Sequence, residues 1–474
     1  MNRILQSGII LIMILNVTEI KAQYISEVID YTPAPGQFIN SRPWGSPDAS
    51  ASLVGDINGT ICLGAFGGYV IFRFENPVEN HQDNPFGVDF TVFGNPLIYW
   101  SEPGIVWVMK DENENGLPDD TWYELAGSDY HFSSSTRRYR VTYTNPLESI
   151  ARDVPWADNA GDHGVIPSNS IHNQPYYPDH DSFPSIPEIE YALEGSAINA
   201  VVDFSNGPVI RSVKRAFGYA DNQLRGSPPY TTPDNPYTEE VENSGGDAFD
   251  IGWAVDSAGD YVELDKIHFV KVQNGVRTFG GWLGELSTEV TGAIDVVDDV
   301  SISGELDVIV IRDLPLTLET STVQLEAFVF HQGRLQSGRP LRWTSSMASA
   351  LVDENQVLTV SQPGNLELTA TLVDRPEIRS TVHTTVNLTH TSFDPPAGIP
   401  SEFSLSPNPA GDFVRLRSVA GASVSIFNSM GKSCVHFDTQ EVLSTIDLTR
   451  LPPGIYVVQI EKGGRLRCLK LLKR

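Results

Sequence analysis

Asp111 to Asp120 reads Asp-Glu-Asn-Glu-Asn-Gly-Leu-Pro-Asp-Asp, and its residue types and spacing suggest chemistry more directly than any other stretch. Oxygen-bearing side chains fall at relative positions 1, 3, 5 and 9 (Asp111, Asn113, Asn115 and Asp119), with Gly116 at position 6. Alternate side chains aimed inward, with the Leu117 carbonyl adding another oxygen, form the donor pattern of a calcium loop, and the glycine allows its sharp turn. Position 12 is Trp122 rather than the bidentate Glu of an EF-hand, and Pro118 and strand-like flanks argue against paired helices. The expectation is a turn between two strands, closed by Asp120 or Glu124, with Ca2+ as a structural ion. A polar hairpin loop is the plainer reading, since Asp, Asn and Gly favour turns in any case.

Two other constellations could bind something. In Phe249-Asp-Ile-Gly-Trp-Ala-Val-Asp256, Trp253 could serve as a stacking platform, with Asp250 and Asp256 as hydrogen-bond acceptors or metal ligands. A strand with capped turns would use the same residues. Trp156, Tyr176 and Tyr177, with Tyr230 and Tyr237, lie on long Pro-rich connections between about 145 and 246. An aromatic-lined loop surface suits a flat ligand such as a sugar or a corrin ring, although aromatics also pin long loops to a core. Asp179-His180-Asp181 could bind a metal, although adjacent residues rarely converge on one ion, and His163 and His172 lack metal-type spacing.

Signatures of catalysis are missing: there is no Gly-x-Ser-x-Gly elbow, no His-Glu-x-x-His and no phosphate-binding glycine loop. The 60 Asp and Glu residues leave a glycosidase-like carboxylate pair open, because sequence gives no separations.

Length and charge bound the rest. A chain of 474 residues suggests about three domains. A net charge of −28 argues against a nucleic-acid partner, which needs a basic face. The three cysteines (Cys62, Cys434 and Cys468) are too few for a disulfide scaffold, and Cys62 sits in an apolar run. Residues 1–22 read as a secretory signal, with Arg3, the apolar run Ile4 to Val17 and a cleavage region at Lys21-Ala22-Gln23.

These residues must be positioned by strands. Runs such as Gly68-Tyr-Val-Ile-Phe-Arg-Phe74, Val88-Asp-Phe-Thr-Val-Phe93, Ile105-Val-Trp-Val-Met109 and Tyr139-Arg-Val-Thr-Tyr143 alternate with Gly, Pro, Asn and Asp. The pattern predicts an all-β chain whose first domain, 23–293, is a large sandwich. Gly67-Gly-Tyr-Val-Ile-Phe, Asp89-Phe-Thr-Val-Phe-Gly-Asn95, Glu102-Pro-Gly-Ile-Val-Trp-Val, Trp122-Tyr-Glu-Leu-Ala-Gly-Ser128 and Phe249 to Asp256 follow in that order. In this the domain resembles cell-surface proteins of Bacteroidota, often encoded near TonB-dependent uptake systems and in some cases associated with corrinoids. The resemblance implies a galactose-binding-like jelly roll, and a TonB-linked outer-membrane receptor as partner. It supplies no catalytic residues.

Residues 295–389 alternate cleanly in Val308-Ile-Val-Ile311, Val323 to Phe330, Leu341-Arg-Trp-Thr-Ser345 and Leu366 to Leu372. They resemble a bacterial immunoglobulin-like unit, which implies a spacer. A Pro/Ser/Gly-rich linker follows at 390–402. Ser404-Leu-Ser-Pro-Asn-Pro-Ala410, Val424 to Gly431, Ile446 to Val458 and the basic end Leu469-Lys-Leu-Leu-Lys-Arg474 then resemble a type IX secretion sorting domain, 403–474. The secretion machinery is its implied partner. From Ser401 onward ten Lys/Arg face six Asp/Glu, a balance of +4, so the first 400 residues carry −32 of the net −28. Together these readings predict an exported, calcium-stabilised protein that captures a glycan or small ligand. A hydrolase with paired carboxylates and a purely structural or adhesive protein are the alternatives.

Overall fold

The computed structural model describes residues 23–81, 84–97, 99–200, 202–204, 210–222, 246–296, 304–312, 314–388, 404–417, 420–428, 432–462 and 465–474. The chain is all-β: among the described residues the only helices are short 3-10 turns. The expected signal segment, the 390–402 linker, Tyr230 and Tyr237 lie outside the described residues. Two compact units are present, the first ending at Asn387 and the second beginning at Leu388.

The first unit is built on a six-stranded antiparallel sheet. Its spatial order is Ala254–Val255, Trp122–Leu125, Gly104–Met109, Phe269–Asn274, Tyr69–Arg73 and Glu27–Thr32. Period-two alternation gives it two apolar faces. Val70, Phe72, Val106, Val108, Val270 and Val272 enter the main core, whereas Ile71, Met109 and Phe269 form a smaller cluster with Ile29 and Trp122. Two further four-stranded sheets contribute to that main core. Tyr139, Val141, Tyr143 and Leu193 come from one, and Phe90, Val92, Phe249 and Ala293 from the other.

Strands between Asp307 and Val386 form three smaller sheets, with a small cluster of their own around Ile309, Val329, Ala370 and Leu372. Leu306, Val308 and Phe330 are buried in the main core of the first unit. Phe330 packs edge-on against Phe217 at 5.1 Å, and Phe132 lies 4.3 Å from Phe328. The Trp253 indole donates to the Gln332 carbonyl (3.1 Å), and Arg334 donates to the Gly252 carbonyl (2.9 Å). Gly333, at φ +69°, lets the hairpin turn lie flat on the indole, since a Cβ there would meet Trp253 Nε1 at 2.1 Å.

The second unit pairs a three-stranded sheet with a four-stranded one around Val414, Leu416, Val424, Ile426, Tyr456, Val458 and Ile460. Asn408, the centre of the Pro-Asn-Pro motif, fastens its opening to the last strand. Its side chain donates to the Lys470 carbonyl (2.7 Å) and accepts from the Leu472 amide (2.9 Å).

Trp253 joins the residues on either side of 300, so Trp253→Ala should remove about 3–5 kcal/mol of stability, as for other large buried aromatics. Denaturant unfolding followed by fluorescence should show the loss. Residues 23–296 and 304–387 should still unfold in one transition, and two separated transitions in the wild type would contradict the shared core.

Candidate functional site

Loop 111–120 leaves the end of strand Gly104–Met109 and returns as strand Trp122–Leu125, its hydrogen-bonded neighbour. Asp111 is buried, and its carboxylate organises the turn by accepting the amides of Asn115 (3.1 Å) and Gly116 (2.8 Å). Asn113 Oδ1 accepts from the Asn115 amide (3.0 Å), and Asn115 Oδ1 from the Leu117 amide (2.7 Å). Asp120 accepts from the Glu112 amide (2.9 Å), and the Asn115 side-chain amide reaches Asp119 at 3.1 Å. Glu114 and Gly116 take positive φ, 56° and 73°. Asp111, Asn113, Asn115, Asp119 and Asp120 are thus held around one turn, with the Leu117 side chain exposed outside it. Of the two expected closing residues, Asp120 belongs to the loop, while Glu124 is buried and accepts from Ser196 Oγ (2.5 Å). Three carboxylates and two amide oxygens are hard donors, so the donor set fits calcium better than a soft metal. His268 supports the loop base by accepting the Asp111 amide at Nδ1 (3.0 Å), and burial lowers its pKa.

The other sequence candidates are dispersed. Tyr176 and Tyr177 are core residues, the Tyr177 hydroxyl donating to the Pro187 carbonyl (2.7 Å) and the Tyr176 hydroxyl accepting the Asn169 amide (3.2 Å). Trp253 is buried against Phe217 and Phe249. These rings face the core and anchor the loops that carry them. Trp156 is half-buried and lines a cavity of about 20 Å³ with Phe66, Tyr139, Tyr143, Arg277 and Glu285. That volume admits one water and no sugar.

Asp250 caps the Ile251–Trp253 turn by accepting the Gly252 amide (2.6 Å), and burial raises its pKa to about 7. Asp89 faces it, with its pKa raised first by burial and then by Asp250. Asp256 lies on a separate exposed turn, accepting the amides of Ala258, Gly259 and Asp260, bonds that lower its pKa. Asp179 and His180 make local turn bonds to Ser182 and Ile186.

A buried trio escaped the sequence reading: Glu102, Asp221 and Glu289 bring carboxylate oxygens within 4.8 Å of one another. Glu102 precedes strand Gly104–Met109, Asp221 follows the Gly104–Ala220 bridge, and Glu289 pairs with Cys62. Backbone amides hold them: Ser287 to Glu102 (2.9 Å), and Asn95 (2.8 Å) and Glu289 (2.9 Å) to Asp221. Gly94 permits the approach, since a Cβ there would stand 2.4 Å from Asp221 Oδ1. Among the described residues no Lys or Arg forms an ion pair with any of the three. Burial pushes Glu102 up to about 7 and Asp221 and Glu289 well above the carboxylate range, and each is raised further by its acidic neighbours in the last two cases. Such a trio is neutralised either by protons or by a divalent cation. Residues so far apart in sequence carry no local spacing signal.

With this geometry in hand, comparison with known proteins adds one decisive match. Residues 404–474 match the secretion system C-terminal sorting domain. The second unit is a type IX sorting domain. The protein is therefore exported to the cell surface or secreted, and its sorting domain engages the type IX secretion machinery. No helix among the described residues is long and apolar enough to cross a membrane. No curated protein matches the chain.

Solved structures give distant likenesses. Drosophila OTK extracellular domains 3–5 share 8% identity at a TM-score of 0.17, covering 84% of this chain and 99% of that one. Surface layer protein SbsC, domains 1–6, shares 10% at 0.18, covering 85% of this chain and 52% of that one, so the match spans about half of SbsC. PorZ, a surface component of the type IX system of Porphyromonas gingivalis, shares 12% at 0.15, covering 88% and 58%.

The buried carboxyls set a pH dependence. Their folded pKa values lie above the unfolded ones, so the stability they contribute is complete below about pH 4 and is lost as pH rises through the folded values. For Glu102 and Glu124 that value is about 7, and for Glu285 about 8. In chelator-containing buffer the melting temperature should fall from pH 6 to pH 8. Glu289→Gln, which cannot ionise, should flatten that slope, and an unchanged slope would refute the buried-acid assignment.

Proposed function

We propose that the protein is an exported binding protein whose first unit is stabilised by calcium in loop 111–120. The observation that carries this reading is the gathering of Asp111, Asn113, Asn115, Asp119 and Asp120 about one turn between adjacent strands of the main sheet. Calcium there would neutralise the Asp111, Asp119 and Asp120 carboxylates and fix the hairpin between two strands of the sheet. Its role is structural, and recognition is non-covalent. The residues 1–22 would direct the chain into the export route that the sorting domain completes. In this reading the expected glycan or small ligand, a corrinoid among them, is met outside the cell, and delivery to a TonB-linked receptor is one route of uptake.

A structural or adhesive role is the second reading. The burial of Tyr176, Tyr177 and Trp253 favours it, because these rings stiffen loops rather than offering faces to solvent. The hydrolase reading draws no support from Asp250 and Asp256, which cap different turns.

Melting of the full chain at pH 7 with excess calcium against EGTA tests the calcium site. Calcium at about a hundred times its Kd stabilises by about 2.7 kcal/mol, which raises Tm by a few degrees. Asp119→Ala leaves the Asp111-centred turn intact and should abolish most of that rise. An identical Tm with and without EGTA, and no metal in elemental analysis, would end the proposal.

A further inference from the structure

Strand Gly104–Met109 has the calcium-type loop at one end and an apolar patch at the other. Asn274 pairs with Gly104 there, so residues 97–103 and 275–286 flank the same end of the sheet. Four large side chains stand open in this region: Leu97 (65% exposed), Tyr99 (54%), Phe204 (54%) and Trp282 (63%). The backbone around them is fastened. Leu97 and Trp100 exchange amide–carbonyl bonds of 2.9 and 3.0 Å, which puts Tyr99 at the tip of a tight turn. The Ser212 amide donates to the Tyr99 carbonyl (2.9 Å), and the Arg211 guanidinium stacks on the Tyr99 ring at 4.6 Å. Trp282 lies in the short turn Gly281–Leu283, closed by Gly280 donating to Gly284 (2.8 Å). Gly280 abuts Trp100, whose ring would meet a Cβ at 2.5 Å, and Gly281 abuts Phe204 and Ile210. Trp100 links the Leu97–Trp100 turn to Gly280, and Phe204 abuts Gly281 beside Trp282, so the four open side chains belong to one region of the surface.

Its size and chemistry select the occupant. Three aromatic side chains and a leucine, each more than half open, expose on the order of 400 Å². A stable protein partner needs about 800 Å² on each side, so the patch is too small for a lasting protein interface. It is large enough for two or three sugar rings. Aromatic faces receive the C–H faces of pyranoses, and a guanidinium beside them can donate to hydroxyls. The first 400 residues carry −32, which repels anionic chains. We propose that Leu97, Tyr99, Phe204 and Trp282 form a docking surface for a neutral saccharide. This rests on the binding-protein reading and gives it a surface distinct from Trp156, Tyr176 and Tyr177.

Affinity electrophoresis of the full chain through gels containing starch, mannan or laminarin, with chondroitin sulfate as the anionic comparison, tests it. At least one neutral polysaccharide should retard the wild type, and chondroitin sulfate should not. Trp282→Ala and Tyr99→Ala should each weaken retardation about five- to tenfold, while Trp44→Ala, an exposed aromatic elsewhere, leaves it unchanged. Circular dichroism melts confirm that the variants fold. Retardation indifferent to Trp282→Ala and Tyr99→Ala would overturn the patch and leave the binding reading standing. Failure of every neutral polysaccharide to retard the wild type would overturn the saccharide surface. Concentration-dependent dimerisation abolished by Trp282→Ala would assign the patch to a second copy of the chain and overturn it.

Discussion

Burial on both faces of the six-stranded sheet is the constraint from which the rest of the first unit follows. Its strands alternate apolar side chains to two different clusters, so neither face can be left to water. Long connections must cover it, and they can do so only by inserting their own large side chains. Tyr176, Tyr177, Phe183 and Trp253 are those insertions. The cost of fixing loops of this length is offset by the apolar area the rings remove from water. The Tyr177 hydroxyl and the Trp253 indole find backbone carbonyls at the edge of the core, and the Tyr176 hydroxyl a backbone amide, as buried polar atoms must.

The same constraint explains the acidic groups. Strand ends that meet under covering loops bring carboxylates into a dry region, and backbone amides satisfy many of their oxygens. Desolvation then favours the protonated form, and proximity of like charges favours it further. Asp111 differs only in degree: its oxygens also accept amides, but its neighbours Asp119 and Asp120 remain at the surface, where an ion can reach them. A buried acid trio and an open acid loop are two outcomes of placing carboxylates at opposite ends of one sheet.

Residues 304–387 behave as part of the same structure. They have a small cluster of their own around Ile309, Val329, Ala370 and Leu372, while Leu306, Val308 and Phe330 enter the main core and Gly333 seats a hairpin on Trp253. The export domain is separate, with its own apolar interior and the Asn408 clasp to its final strand.

The sequence by itself determined what depends on near neighbours. Period-two alternation specified strands, the Asp-x-Asn-x-Asn-Gly spacing specified a turn between two of them, and the coupled motifs after residue 403 specified the export domain. Each of these is local, because residues a few positions apart are held close by the chain itself. Tertiary structure alone decided which aromatics are buried and which are open, since nothing local to Tyr177 or Trp282 says what packs over the ring. It alone brought Glu102 to Asp221 and Glu289 from three separate stretches of chain, and it alone joined Phe330 to Phe217. Those outcomes depend on sheet order and register, and a one-residue slip in register would exchange the inner face for the outer.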